Sequence, residues 1–477
     1  MLFRSFYLVI CLFTAIYSLN LAAEPVSLPD MGDSSSSVVT PENERQMGES
    51  LMRWLRQNEL IVTDPLVQSY IHSLGYRLVA NSDETRQPYT FFVVNDPSIN
   101  AFAAPGGFIG VHTGLILTTQ SESELAGVMA HEIAHITQKH MSRTIASASK
   151  QRLTTAVALL AAVLIGQNVP QLTEAAITTT LAANAQLQIN FTRAHEKEAD
   201  YIGIKTLANA GFDPNGMPVF FERMQKATRF YGSELPEFLR THPVSVSRIA
   251  DSRNRARNIH VKKIKPNKLY PYIKARLKVL KAKDIAQFIY DNKTERSKIK
   301  DRDIYHYTMA IAYLKNSQAK LAYKHIRPLV KKNPESILYR ISEAEIQQAM
   351  GKNKTALKNF NSILQLYPYS YAITVHYARH LLSTKHEQAA YSLLQDYARN
   401  RNVDATILKL LSEASSKTGK TAEAYLYLAE HDFLYGNTRA AISHLTTASK
   451  LENIDYYLSS KIEAKLKSYK RIALLEK

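Results

Sequence analysis

From about residue 303 the chain repeats itself every 34 residues, and no other feature restricts its fold so strongly. "DIYHYTMAIAYLKNSQAKLAYKHIRPLVKKNPES" sets Tyr313, Ala322, Ile326 and Pro334, and "ILYRISEAEIQQAMGKNKTALKNFNSILQLYPYS" follows with Gly351, Ala356, Phe360 and Pro368. Ala390 and Ala424 keep the small position and Gly419 the turn, while Gly436, Ala441 and Ala448 return after half a period and leave the pairing there open. A 34-residue unit is one helix–turn–helix, which buries its apolar face only by stacking on its neighbours. The last third of the chain should therefore be a helical solenoid, with an irregular helical domain as the plain alternative.

The N-terminus is a separate matter. "MLFRSFYLVICLFTAIYSLNLAAEP" has a basic head, an apolar run from Phe6 to about Tyr17 and small residues at Ala22 and Ala23. That is the layout of a secretory signal peptide over 1–23, too short to span a bilayer comfortably. A retained anchor is the alternative. The Ser-rich stretch over 24–48 reads as a flexible leader. Cys11 is the only cysteine and lies inside the signal segment. The mature chain then has no disulfide framework, and a metal site must use histidine and carboxylate ligands.

"MAHEIAHITQKH" (129–140) raises the metal question. His131 and His135 share one helical face, and Glu132 sits about a hundred degrees round, placed to reach a water at the metal. Leu125, Val128, Met129 and Ile136 continue the helix, with Ser121 or Ser123 as N-cap. The extension HExxHxxGxxH is absent, since Gln138 and Met141 stand at its glycine and last histidine, and His140 is expected as an exposed or capping residue. A third ligand should come from a later helix. In "AHEKEADYIGIKTLANAGFDP", Glu196 and Asp200 share one face and Glu198 points elsewhere, with Glu196 suited to the metal and Asp200 to holding a ligand ring. "NAFAAPGGFIGVHTGLI" reads as a turn followed by a strand through Phe108, Ile109 and Val111, which could pair with a substrate peptide. His112 is expected on the strand surface. His242, before Pro243, could donate to an oxyanion, take the fourth metal position or be merely structural.

These residues carry a resemblance. "NAFAAPGG", "HEIAH", "EKEAD" and "THPVSVSRIA", in that order, resemble the M48 zinc metallopeptidases. The resemblance implies one zinc held by His131, His135 and Glu196, Glu132 as general base and Asp200 as supporting acid. The fold it implies is mainly α: a zincin-like α+β metallopeptidase domain with a small sheet over 49–262, a junction over 263–302, and an α-helical tetratricopeptide-repeat solenoid over 303–477. With the signal peptide, "LPDMG" and the repeat tail, the chain is similar to periplasmic members. Those imply assembly and quality control of outer-membrane proteins, misassembled barrels as substrates and the β-barrel assembly machinery as partner. Some relatives are integral membrane proteins. Here the apolar run Ala156–Ile165 is short, and 153–190 reads as a helical hairpin over the cleft or against a membrane surface.

Charge is lopsided. Residues 261–477 carry 39 Lys and Arg against 19 Asp and Glu, while the first 260 carry 21 against 23. A basic solenoid attracts acidic protein surfaces or anionic lipid, and an exported chain does not meet nucleic acid. The readings to separate are a periplasmic zinc endopeptidase with chaperone-like activity, a repeat adaptor with a structural metal, and a membrane-embedded protease.

Overall fold

The computed structural model describes residues 40–147, 193–231, 236–261, 264, 268–298, 301–452 and 454–475. The expected signal peptide and the 153–190 hairpin lie outside the described residues. Among the described residues no helix is long and apolar enough to cross a membrane.

The first half is built on helices α1 (Pro41–Gln57) and α2 (Pro65–Val79), strands β1 (Thr90–Val94), β2 (Ala101–Ala104) and β3 (Phe108–His112), then α3 (Thr113–Thr118), α4 (Glu122–Thr137) and α5 (His140–Ser147). It continues with α6 (Arg193–Asn209), α7 (Gly216–Tyr231), α8 (Glu237–Thr241) and α9 (Val246–Asn258). The leader expected to run to residue 48 is helical over 41–48, because α1 starts at Pro41. Thr40 caps it, proline occupies its first turn with Glu42 and Glu44, and each of these favours helix initiation.

The sheet has the order β1-β3-β2, with β3 parallel to β1 and antiparallel to β2. Gly106 (φ 77°) and Gly107 (φ 81°) make the β2–β3 turn in backbone conformations that disfavour a Cβ. Side chains alternate across the sheet. Phe92, Val94, Phe102 and Phe108 pack on Met47, Leu51 and Leu55 of α1. Phe91, Val93, Ile109 and Val111 join the core of α2 and α4 on the other face. With both faces covered, these strands read as continuous apolar runs.

Beyond α9 come α10 (Tyr270–Lys281) and α11 (Ile285–Thr294), followed by five helix pairs: α12 (Arg302–Lys315) with α13 (Ala319–Lys332), α14 (Ile337–Ala349) with α15 (Asn353–Leu366), α16 (Tyr371–Ser383) with α17 (Glu387–Asn400), α18 (Ala405–Lys417) with α19 (Thr421–Leu434), and α20 (Thr438–Ser449) with α21 (Tyr456–Leu475). Gly436 lies in the turn between α19 and α20, half a period after Gly419, and α19 packs against both α18 and α20. The small residues Ala322, Ala356, Ala390 and Ala424 are all buried where second helices meet their neighbours. Within each of the first four pairs the turn contains a residue at positive φ, namely Ser317, Gly351, Lys385 and Gly419. The second half packs on the first: α16 lies against α2, and two polar contacts join the halves elsewhere. Arg276 of α10 pairs with Asp64 at the start of α2, and Arg56 of α1 donates to Leu434 O of α19.

Candidate metal centre

Helix α4 starts where Ser121 accepts a hydrogen bond from Glu124 N, and it is buried along almost its whole length. Its next neighbour is α6. At the crossing Gly203 has no Cβ, and one added there would stand 3.1 Å from His131 N and 3.2 Å from Ala130 C. This close approach brings Glu196 and Asp200 beside the two histidines. The third contribution comes from the α8–α9 segment, where His242 ends α8 and its ring stacks on Phe238 at 5.1 Å.

His131, His135, Glu196 and His242 converge, with one ligand atom from each lying within 4.8 Å of the others. His131 Nε2 is 3.0 Å from His135 Nε2 and 3.3 Å from His242 Nδ1. Glu196 lies 3.4 Å from His135 Nε2, 3.5 Å from His131 Nε2 and 3.0 Å from His242 Nδ1. Four donors around one zinc at its usual bond lengths stand about 3.3 Å apart, so this donor set fits the ion in both chemistry and spacing. Burial alone would depress the His131 pKa, but Asp200 and Glu196 outweigh it and push His131 up to about 10. Such a negative site favours a cation. Burial holds His135 well below the usual imidazole range.

Two further groups fix the acids. Asp200 Oδ1 is 3.0 Å from His131 Nδ1, in contact though not aligned as a hydrogen bond. Arg248 of α9 forks onto Asp200 through Nε (2.7 Å) and Nη2 (2.8 Å), and its Nη1 is 2.8 Å from Glu196. Burial raises the Asp200 pKa, but Arg248 and His131 more than offset this, so Asp200 stays ionised. Arg248 was not legible as a site residue, because it is one arginine among several in "SRIADSRNRAR" and spacing does not single it out.

Glu132 is buried with no hydrogen-bond partner on either oxygen, and His242 Nε2 (3.5 Å) and the backbone of Ala103 face it. Burial raises its pKa. Burying a carboxylate without aligned hydrogen bonds is costly, and a group kept in that state calls for an explanation at the site.

Three expectations are corrected. Phe108, Ile109 and Val111 cannot receive a substrate strand, because β3 is the central strand and both its edges are already paired. The sheet edge beside Glu132 is β2, from the "AFAA" that precedes the turn. A cavity of about 180 Å³ lies at this edge, lined by Ala103, Ala104, His135, Ile136 and Met141. His140 is neither exposed nor a cap. It is fully buried, with Nδ1 2.9 Å from His135 Nδ1 and Nε2 3.0 Å from Glu198 Oε2. His140 stands five positions after His135, but Lys139 (φ 50°) breaks the helix between them and a helical wheel does not apply. His112 is likewise buried rather than on the strand surface, with its Nδ1 2.7 Å from Ser98 Oγ, and it takes no part in the cluster.

Comparison with known proteins agrees with this geometry. A model of peptidase family M48 matches residues 65–256, which include His131, Glu132, His135, Glu196, Asp200, His242 and Arg248. The chain is 32% identical over 448 residues to the beta-barrel assembly-enhancing protease of Escherichia coli, covering 94% of this chain and 92% of that one. It is 36% identical over 446 residues to a Vibrio cholerae protein that carries the same name provisionally, covering 93% and 92%. A mitochondrial metalloendopeptidase of Schizosaccharomyces pombe is 34% identical over 183 residues, which is 38% of this chain and 50% of that one.

Proposed function

The chain belongs to peptidase family M48, and from that premise we propose that it is a periplasmic zinc endopeptidase with chaperone-like activity, acting on outer-membrane β-barrel proteins as they assemble and degrading those that misassemble. The observation that carries this reading is Glu132: a buried carboxylate with no aligned hydrogen bond on either oxygen, facing His242 beside a convergent His131–His135–Glu196 set.

His131, His135 and Glu196 would hold the zinc, and Asp200 and Arg248 keep His131 and Glu196 in place. When bound, zinc supplies Lewis acidity that polarises the scissile carbonyl and makes water more acidic. Glu132 takes a proton from the attacking water and delivers it to the departing amine, for which its raised pKa suits it. The β2 edge aligns the substrate backbone through Ala103 and Ala104, and the cavity beside His135 receives one side chain. His242 would supply a fourth donor in the resting enzyme, and substrate would have to displace it. Its place at the end of the short helix α8 supports this reading. The basic solenoid recruits acidic protein or anionic lipid surfaces, including the β-barrel assembly machinery, at the periplasmic side of the outer membrane.

Because His242 completes a four-donor set, a repeat adaptor with a structural metal is the second reading. Zinc content and cleavage of an unfolded outer-membrane barrel, measured on the mature chain and its Glu132→Gln variant, separate the two. The expected result is one zinc in both and cleavage only by the unmutated chain. One zinc in both and cleavage by neither, even after His242→Ala frees the fourth position, establishes the adaptor instead.

A further inference from the structure

His140 is a buried titratable group beside the metal donors that this mechanism leaves without a task. It begins α5, three residues after α4 ends, and its ring touches His135 of α4 and Glu198 of α6. On one side its Nδ1 meets His135 Nδ1 at 2.9 Å, the rings being tilted 75° to each other. On the other its Nε2 meets Glu198 Oε2 at 3.0 Å, and its face stacks on His195 of α6 at 4.4 Å. Glu198 is further engaged by Arg143, 3.5 Å away.

Two ring nitrogens 2.9 Å apart share a single proton, and the surroundings decide who owns it. His135 directs Nε2 at His131 and Glu196, so Nε2 must carry a lone pair if it is to bind the metal. A neutral imidazole then keeps its proton on Nδ1. That proton points at His140 Nδ1, which must accept it. His140 therefore carries its own proton on Nε2, where the Glu198 carboxylate accepts it. Each tautomer follows from the one before, and the chain ends at a carboxylate that is partly exposed and ionised.

We propose that Glu198 and His140 form a relay that fixes the tautomer and ring orientation of His135, making His140 a positioning residue for metal binding, as Asp200 is for His131. The inference rests on the zinc reading of the site. It gives the two histidines of α4 separate supports: Asp200, anchored by Arg248, for His131, and His140, anchored by Glu198 and His195, for His135. Partners of this kind are worth about 10–100-fold in metal affinity.

The test is zinc affinity of the mature chain, measured by competition with a chromogenic chelator, for wild type, His140→Phe and His140→Asn. Phenylalanine keeps the ring against His195 and removes the acceptor, whereas asparagine places Oδ1 where His140 Nδ1 stands. The expected result is affinity about 10–100-fold weaker for His140→Phe and within about threefold of wild type for His140→Asn. Long-range nitrogen–proton spectra of histidine-labelled, zinc-loaded wild type supply a reading independent of any variant's folding. His135 should carry its proton on Nδ1 and His140 on Nε2. A His140→Phe chain that binds zinc within twofold of wild type, or a His140 protonated on Nδ1, overturns the relay alone. A wild type that binds no zinc overturns the parent reading and the relay with it.

Discussion

Replacing Arg276 by methionine should cost about 3–5 kcal/mol, the usual loss when one member of a buried ion pair is removed. The structure explains why the loss should be at the full scale. Arg276 Nε lies 2.9 Å from each oxygen of Asp64 and Nη2 lies 2.8 Å from Oδ2, with side chains only 6% and 10% exposed. The same Nη2 is 4.0 Å from Glu345 of α14, which His376 of α16 meets at 2.9 Å. One guanidinium thus offsets carboxylates from both halves of the molecule, and methionine would leave Asp64 with the α2 N-terminus, where it accepts from Val67 N at 3.1 Å, and the more remote His376. Asparagine also caps helices, so adding Asp64→Asn should recover most of the loss by removing the stranded charge. Urea unfolding followed through Trp54, the only tryptophan and a residue of α1, reads the first half directly. Burial raises the Asp64 pKa, but Arg276 more than offsets it and the folded value lies below the unfolded one. A depressed carboxyl pKa stabilises fully above the unfolded value of about 4 and loses that contribution as pH falls through the folded value. The gap between wild type and Arg276→Met should therefore be widest near neutrality and narrow in acid. A loss under about 1 kcal/mol at pH 7, or a double variant worse than Arg276→Met, would refute the reasoning.

The remaining predictions concern the site and the repeats. Arg248→Met should destabilise by about 3–5 kcal/mol in thermal melts, and Arg248→Lys should recover only part, because an ammonium cannot fork onto Asp200 while reaching Glu196. Gly203→Ala should cost about 1–3 kcal/mol by pushing α6 off the α4 backbone, with weaker zinc binding in the same samples. Lys385→Gly should stabilise by about 0.5 kcal/mol, since relief of a left-handed lysine exceeds the added freedom of the unfolded chain. Gly351→Ala, at the matching turn with nothing within 4 Å, should destabilise by about 1 kcal/mol from backbone conformation alone. Equal melting temperatures for those two variants would refute the left-handed-turn argument.

Whatever depends on one element and its own spacing was open to reading in the sequence. His131 and His135 share a face because they are four apart on a helix, Glu196 and Asp200 do so for the same reason, and the 34-residue period places Ala322, Ala356, Ala390 and Ala424 at equivalent buried positions. Whatever depends on which elements meet was not. That β3 lies between β1 and β2, so that β2 holds the edge at Glu132, follows from strand order rather than from any strand's residues. His140 faces His135 only because a left-handed Lys139 turns the chain back, and Arg248 serves both acids only because α9 packs on α6. Arg276 finds Asp64 across 212 residues. Side-chain periodicity records the geometry of a single helix or strand, while a hydrogen bond or ion pair between elements is set by how their faces pack, and packing is decided by the shape of the whole core.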